Sequence, residues 1–229
     1  MNHNPIIVAL DCESAQEAGG LVARLGGQID FYKVGMELYA AAGMGFVREL
    51  RAQGKQVFLD MKFYDIPETV RRAVCVAGRA GMQFLTVHGS GPVMRAAAEG
   101  RGSSDLKLLA VTVLTSFDRE DIEDLGYPCD VGDLVDLRVR KALDSGLEGI
   151  VASPLDAARV RGIAGPDMIL VTPGVRSQGS ARGDQKRVAT PAEAIRDGAD
   201  YVVMGRQIAR AADPASEVAR VLEEIASIK

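Results

Sequence analysis

Histidine is nearly absent from this 229-residue chain, which has only His3 in the leading tail and His88 at the end of an apolar run. Neither stands in a cluster with carboxylates, so the sequence offers no transition-metal site and argues against metal-dependent epimerase chemistry. On its own, His88 reads as a hydrogen-bonded packing residue. Cysteine is scarce too. Cys12, Cys75 and Cys129 form an odd set without a Cys-x-x-Cys pair, which fits reduced thiols packed inside a cytosolic protein. No nucleophile elbow and no dinucleotide fingerprint occurs either. The chemistry is left to Lys, Asp and hydrogen bonds.

Long apolar runs are missing as well. No stretch approaches the roughly 18 apolar residues of a membrane span, and the opening Met-Asn-His-Asn-Pro lacks the basic region of a signal peptide. A cytoplasmic protein without a membrane partner is the expectation. There is no basic stripe, because 27 Lys and Arg are scattered among 31 Asp and Glu for a net charge of −4, which argues against a nucleic-acid groove. No linker divides the chain, so residues 1–229 are expected to form a single domain. Its 47% hydrophobic and 25% charged residues are an ordinary soluble balance.

What is present is a repeating alternation. Eight short runs rich in Val and Ile, each closed by a polar residue or Gly, read as strands: Pro5–Asp11, Phe31–Gly35, Gln56–Lys62, Phe84–Gly89, Lys107–Thr115, Gly149–Ser153, Met168–Gly174 and Tyr201–Gly205. Between them lie helical patterns at Ser14–Leu25, Glu37–Gln53, Ile66–Gly78, Leu134–Leu143, Pro154–Ile163 and Pro191–Arg196. Ser14 before Ala-Gln-Glu reads as a capping box, and Thr190 as an N-cap before an N1 proline. Asp118–Gly132 is acidic and carries Gly126 and Pro128, so it reads as a broken helix in the fifth βα connection. Pro214–Ile228, with Val218, Val221, Leu222 and Ile225 at helical spacing, packs outside and closes the fold. The pattern predicts an α/β fold of the (β/α)₈ TIM-barrel type. A doubly wound open sheet shares the alternation but is disfavoured, since Asp11-Cys12-Glu13-Ser14 stands where its glycine-rich turn belongs.

In such a barrel the active site lies at the C-terminal strand ends, and here those ends are charged. The third strand is the focus. In Gln56–Pro67, strand alternation places Phe58, Asp60 and Lys62 on one face and Leu59 and Met61 on the other, with Asp60 and Lys62 roughly 6.5 Å apart at Cα. Asp11 ends the first strand and Lys33 lies near the end of the second. The order around the barrel is acid, base, acid, base, so every charge has an opposite neighbour, as a low-dielectric pocket requires. A network that only stitches strands together is the plainer reading; location at the mouth weighs for a ligand site. Lys62 as a Schiff-base nucleophile would need a neutral amine, and its acidic neighbours favour a protonated group, suited to be an acid or a cation that meets a developing carbanion. Asp65 follows in a loop that Ile66-Pro67 biases towards extended geometry; it either caps the next helix or faces outwards.

Across the mouth, the eighth strand runs into Gly205-Arg206 and a helical Gln-Ile-Ala-Arg segment, which aims backbone N–H groups and a guanidinium at one spot. The seventh supplies Thr172-Pro173-Gly174-Val175-Arg176, a second Arg at the corner where barrels bind phosphate. A tight turn with a solvated Arg is the alternative. The polar, Gly-containing loop after Arg176 has nothing to bury and is either disordered or a lid that orders on a ligand; the lid is the favoured reading, with Gln185 reaching down onto the substrate.

At these residues the chain resembles the orotidine 5′-phosphate decarboxylase family of the bacterial type. Leu-Asp-Met-Lys-Phe-Tyr-Asp-Ile-Pro is similar to its Asp-x-Lys-x-x-Asp-Ile-Pro signature, and Thr-Pro-Gly-Val-Arg with Gly-Asp-Gln-Lys-Arg-Val to its phosphate loop. Val-Met-Gly-Arg and Val-Thr-Val-Leu-Thr-Ser also look like family segments, in order and at the right distances. The resemblance implies cofactor-free decarboxylation of a nucleotide, orotidine 5′-phosphate, to uridine 5′-phosphate, the last step of pyrimidine synthesis. It further implies Lys62 as proton donor to C6, Asp60 beside the departing carboxylate, Lys33 bridging carboxylates and ribose, and Asp11 on a ribose hydroxyl. Thr115 and Ser116 would meet the pyrimidine, Arg176, Gln185, Gly205 and Arg206 the phosphate, and Pro173 and Thr69 would complete the substrate contacts. Asp65 would cross into the site of a second subunit, making a homodimer obligatory. Ser177 departs from the family, which usually has proline after the Arg, and bears on lid stiffness. The nearest rival is a Mg²⁺-dependent sugar-phosphate decarboxylase or hexulose-phosphate synthase, against which Ile66-Pro67 and the Gln185 loop speak; a silent nucleotide sensor is the other.

Overall fold

The computed structural model describes residues 4–178 and 189–227. Strands and helices alternate along them as β1 (Ile6–Ala9), α1 (Ala15–Leu25), β2 (Phe31–Gly35), α2 (Met36–Ala52), β3 (Gln56–Phe63), α3 (Pro67–Arg79), β4 (Phe84–His88), α4 (Gly91–Arg101), β5 (Lys107–Val111), α5 (Arg119–Asp124), α6 (Val131–Asp144), β6 (Gly149–Val151), α7 (Ala157–Ala164), β7 (Ile169–Pro173), α8 (Pro191–Arg196), β8 (Tyr201–Met204), α9 (Arg206–Ala209) and α10 (Pro214–Ala226). All eight strands are parallel and follow one another in order. The ring closes where β1 pairs with β8, Ile6 opposite Val202 through Val8 opposite Met204. This is the expected (β/α)₈ barrel, and the closing pair removes the open-sheet alternative.

Two apolar layers result from the period of two along each strand. One face turns outwards: Val8, Val34, Leu59, Leu85, Leu108 and Ile150 join the helices in one large cluster. The other fills the barrel with Ile7, Phe31, Phe58, Phe84, Leu109, Val171 and their neighbours. Phe84 meets Phe31 edge-on with ring centroids 4.9 Å apart, Tyr201 at 5.5 Å and Phe58 at 5.9 Å. These rings plug the interior. Two residues further along the same faces stand Lys33, Asp60 and Thr86, so the polar layer rests on an aromatic floor.

Side-chain caps set several helix starts, and the Thr190 cap is the one the sequence predicts in full. Thr190 and Glu193 form a reciprocal capping box at α8, whose first residue is Pro191. At α1 the Ser14 hydroxyl accepts from Glu17 N–H, but the return arm of Glu17 goes to Glu13 N–H, one residue before the cap. The acidic segment after the fifth strand differs from a broken helix. Asp118 and Asp121 box the start of a separate short helix, α5, and Gly126 at φ 81° ends that turn. Asp130 then caps α6 by accepting from Asp133 N–H, so this helix begins earlier than the Leu134 expected. Pro154–Asp156 is a 3₁₀ turn ahead of α7.

The fifth strand is also shorter than Lys107–Thr115. Its neighbour β6 has three residues, and beyond them both the N–H and the hydroxyl of Thr112 bond to the same Val151 carbonyl. With no ladder left to join, the chain turns, and Phe117 N–H closes onto Leu114 C=O at 2.9 Å. Thr115 and Ser116 therefore sit in a turn at the mouth and not on a strand. Similarly, β1 stops at Ala9, and Asp11 lies in the connection that follows.

Candidate active site

A cavity of about 1220 Å³ opens at the C-terminal strand ends. Ten of the thirteen residues expected at a site line it. Asp11, Lys33, Asp60 and Lys62 line one side, Thr115 and Ser116 another, and Pro173, Arg176, Gly205 and Arg206 a third. Asp65 and Thr69 are exposed and do not line the cavity of their own chain. Gln185 and the loop read as a lid lie outside the described residues.

The alternating charges form a chain of contacts. Lys33 Nζ lies 2.8 Å from Asp11 Oδ1 and 3.9 Å from Asp60 Oδ2, while Lys62 Nζ donates to Asp60 Oδ1 at 2.9 Å. Asp60 is thus held between two ammonium groups. Burial is uneven: the side chains of Lys33 and Asp60 are 12% and 16% exposed, that of Lys62 31% and that of Asp11 49%. The inner pair is screened from water and Lys62 reaches into the open cavity. Two glycines make room for this packing. A Cβ on Gly35 would stand 2.9 Å from Lys33 Nζ, and one on Gly205 would stand 3.3 Å from Asp11 Oδ2. Gly205 therefore joins the charge array to the Arg206 corner.

The end of β3 departs from a regular strand. Leu59 pairs with Leu85 of β4 and Phe63 with Val87, so Asp60, Met61 and Lys62 occupy the length of Thr86 alone. A bulge of this kind bends the strand and re-aims its side chains. Alternation survives it, since Met61 and Phe63 pack on the outer layer and Phe58 in the inner one. Lys62 is the one non-glycine residue of positive φ among those described, at 49°. Its N–H, robbed of a ladder partner, donates to Thr86 Oγ1 at 2.9 Å, and that hydroxyl donates to Asp60 Oδ1 at 2.9 Å. Thr86 is a residue that motif reading passes over. Its signal was the period of two in β4, which puts it on the interior face between Phe84 and His88.

Asp65 does not cap α3 with its side chain in the usual way. Ile66 is the N-cap residue and makes no side-chain cap bond; Asp65 Oδ1 accepts from Ile66 N–H at 2.6 Å. Tyr64 and Ile66 beside it are 68% and 67% exposed. His88 corrects the expectation of a hydrogen-bonded packing residue: its ring lies against Tyr64 with centroids 4.2 Å apart, and its buried Nδ1 has no hydrogen-bond partner among the described residues. Burial first, and the Arg138 cation second, hold its pKa below the ordinary value. Cys12 lines the cavity, and burial, with Glu17, Asp11 and Glu37 adding to it, pushes its thiol up to about 11. A thiol so protonated is a packing group and not a nucleophile.

On the opposite wall, Arg176 N–H donates to Ala189 C=O, which ties together the two ends of the loop between β7 and α8. Ser177 is buried and doubly bonded to Gln207 of α9: its N–H donates to Oε1 at 3.2 Å and its hydroxyl accepts from Nε2 at 2.9 Å. Gln207 Nε2 also donates to Glu217 of α10 at 2.8 Å. Where a proline would restrain this position by its ring, Ser177 is held by hydrogen bonds. Gln207→Leu should leave the buried Ser177 N–H unpaired and cost roughly 1–3 kcal/mol. Urea unfolding measures this, and an unchanged midpoint would mean that the tie carries no stability. Arg210, four residues after Arg206, lines the same wall; its i,i+4 spacing was the available signal.

Among the described residues no three His, Cys, Asp or Glu gather as a metal-binding group. None of the described helices is long and apolar enough to cross a membrane.

A closed parallel barrel with converging charges in a cavity at its C-terminal strand ends defines an enzyme of the (β/α)₈ class. Residues 4–221 match the model of the Orotidine 5'-phosphate decarboxylase / HUMPS family, and the chain belongs to that family. It is 52% identical over 221 residues to the orotidine 5'-phosphate decarboxylase of Nitrobacter winogradskyi, covering 96% of this chain and 92% of the relative. Identity to that of Caulobacter sp. strain K31 is 48% over 223 residues, 97% of each chain. The crystal structure of orotidine 5'-phosphate decarboxylase from Lactobacillus acidophilus superposes with a TM-score of 0.85 at 32% identity, over 97% of this chain and 99% of that one.

Proposed function

We propose that this chain decarboxylates orotidine 5′-phosphate to uridine 5′-phosphate and CO₂ at the cavity described above. The observation that carries the reading is the array Asp11–Lys33–Asp60–Lys62, with Lys62 Nζ 2.9 Å from Asp60 at the cavity side. Loss of CO₂ from C6 leaves a carbanion in the ring plane, without a π-system to spread it. The charge must be met directly. An ammonium fixed in a pocket with little water does so without reorganising, and such preorganisation supplies a large part of the ~8–23 kcal/mol by which enzymes lower barriers. Lys62 then transfers its proton to C6.

The remaining roles are those the family resemblance implies, and the cavity lining supports them for the described residues. Asp60 stands beside the departing carboxylate, Lys33 bridges the two aspartates and the ribose, and the exposed Asp11 accepts a ribose hydroxyl. Thr115 and Ser116 face the pyrimidine. Arg176, Gly205 and Arg206, with Pro173, form the wall that takes the phosphate, whose binding energy far from C6 helps to organise the reacting end. Gln185 completes this group. Asp65 and Thr69 serve the site of a second copy in a homodimer; their exposure outside their own cavity, beside the exposed Tyr64 and Ile66, supports this. The free thiols of Cys12, Cys75 and Cys129 fit a reducing cytoplasm.

The test is the absorbance change of orotidine 5′-phosphate on addition of the purified protein, with and without EDTA. Conversion to uridine 5′-phosphate at an undiminished rate in EDTA is expected. No consumption would overturn the reading, and activity abolished by EDTA and restored by Mg²⁺ would point to the metal-dependent branch instead.

A further inference from the structure

Resting on that functional reading, we propose that Thr86 is a positioning residue that holds Lys62 and Asp60 in their reactive arrangement. Three observations converge on its hydroxyl. The bulge leaves Lys62 N–H without a ladder partner, and Thr86 Oγ1 takes its place at 2.9 Å. The same hydroxyl spends its own proton on Asp60 Oδ1, the oxygen that also receives Lys62 Nζ. Lys62 itself stands at φ 49°, where a side chain crowds its own backbone. Strain of this kind persists only where the surroundings over-determine it.

The geometry makes Thr86 a hinge pin between two functional groups. By accepting from the backbone of Lys62 it fixes where the side chain leaves the strand. By donating to Asp60 it fixes one carboxylate oxygen, and with it the end point of the Lys62 ammonium. Thr86 is fully buried beneath them and does not line the cavity, so it acts through its two neighbours and not on the substrate. A buried threonine in a strand would ordinarily be exchangeable for valine of the same shape. Here the hydroxyl is both acceptor and donor in one relay, and valine supplies neither.

The test compares Thr86→Val, which keeps the shape, with Thr86→Ser, which keeps the hydroxyl. Val is expected to lower kcat roughly 10- to 100-fold, the loss of a hydrogen bond to a charged group, while KM and the affinity for uridine 5′-phosphate stay within about 3-fold. Ser is expected to restore kcat to within about 3-fold of the parent. A crystal structure of Thr86→Val should show Lys62 leaving positive φ and its contact with Asp60 opening. Undiminished kcat in Val, or Ser as poor as Val, would overturn the assignment. If Val does not fold, Thr86→Ala is read by the same criteria. A parent protein inactive on orotidine 5′-phosphate defeats the functional reading, and the crystal structure then decides on Thr86 alone: unchanged Lys62 geometry in the variant rejects it.

Discussion

Lys62→Ala is expected to lower turnover by at least about 10⁴-fold, because the same side chain supplies the proton and the charge that meets the carbanion. The fold should survive. Alanine carries the same Cβ into the positive-φ position, so backbone strain is unchanged, and Asp60 keeps both the Thr86 hydroxyl and the nearby Lys33 ammonium. The pair that is lost is partly exposed at the lysine, so the stability cost should stay near or below about 1 kcal/mol. Turnover of orotidine 5′-phosphate and a thermal melt of the same preparation check both halves. A folded variant with near-normal turnover would remove Lys62 from the chemistry.

Mixing two inactive variants gives the second large effect. Asp65→Ala alone and Lys62→Ala alone should each be inactive, yet an exchanged equal mixture should regain roughly a quarter of parental activity. Half of the dimers are then hybrid, and each hybrid holds one complete site and one doubly defective one under two-fold symmetry. The expectation rests on position: Asp65 is exposed, does not line its own cavity and accepts from Ile66 N–H. Activity that stays at the background after exchange has been verified by differently tagged subunits would place Asp65 in its own chain's chemistry.

The two predictions differ in how far sequence reading reaches them. Lys62 and Asp60 were legible as a pair, because a period of two puts residues 60 and 62 on one face whatever the strand's partners are. Lys33 and Asp11 were legible from their places near strand ends once a barrel was assumed. Thr115 was placed on a strand and lies in a turn, since strand length depends on how far the neighbour β6 extends, and no local pattern in Lys107–Thr115 records that. His88 illustrates the same limit: its apolar neighbours were readable, the missing partner at Nδ1 was not. The interior position of Thr86 was legible from the period of two in β4, but not its role, which comes from a register shift in another strand.

The sequence by itself determined the alternation of strands and helices, the two faces of each strand, the cap at Thr190 and the sign of every charge at the mouth. These are local properties, set by side-chain type and backbone period within a few residues. Only the tertiary structure decided that β1 meets β8 and closes the ring, that Asp60 sits between two ammonium groups, that Ser177 is tied to Gln207, and that Lys62 takes a left-handed conformation over Thr86. Each of those joins residues tens to hundreds of positions apart or follows from such a join. Their energies depend on distance in space, which packing of the whole barrel sets and no segment of the chain contains.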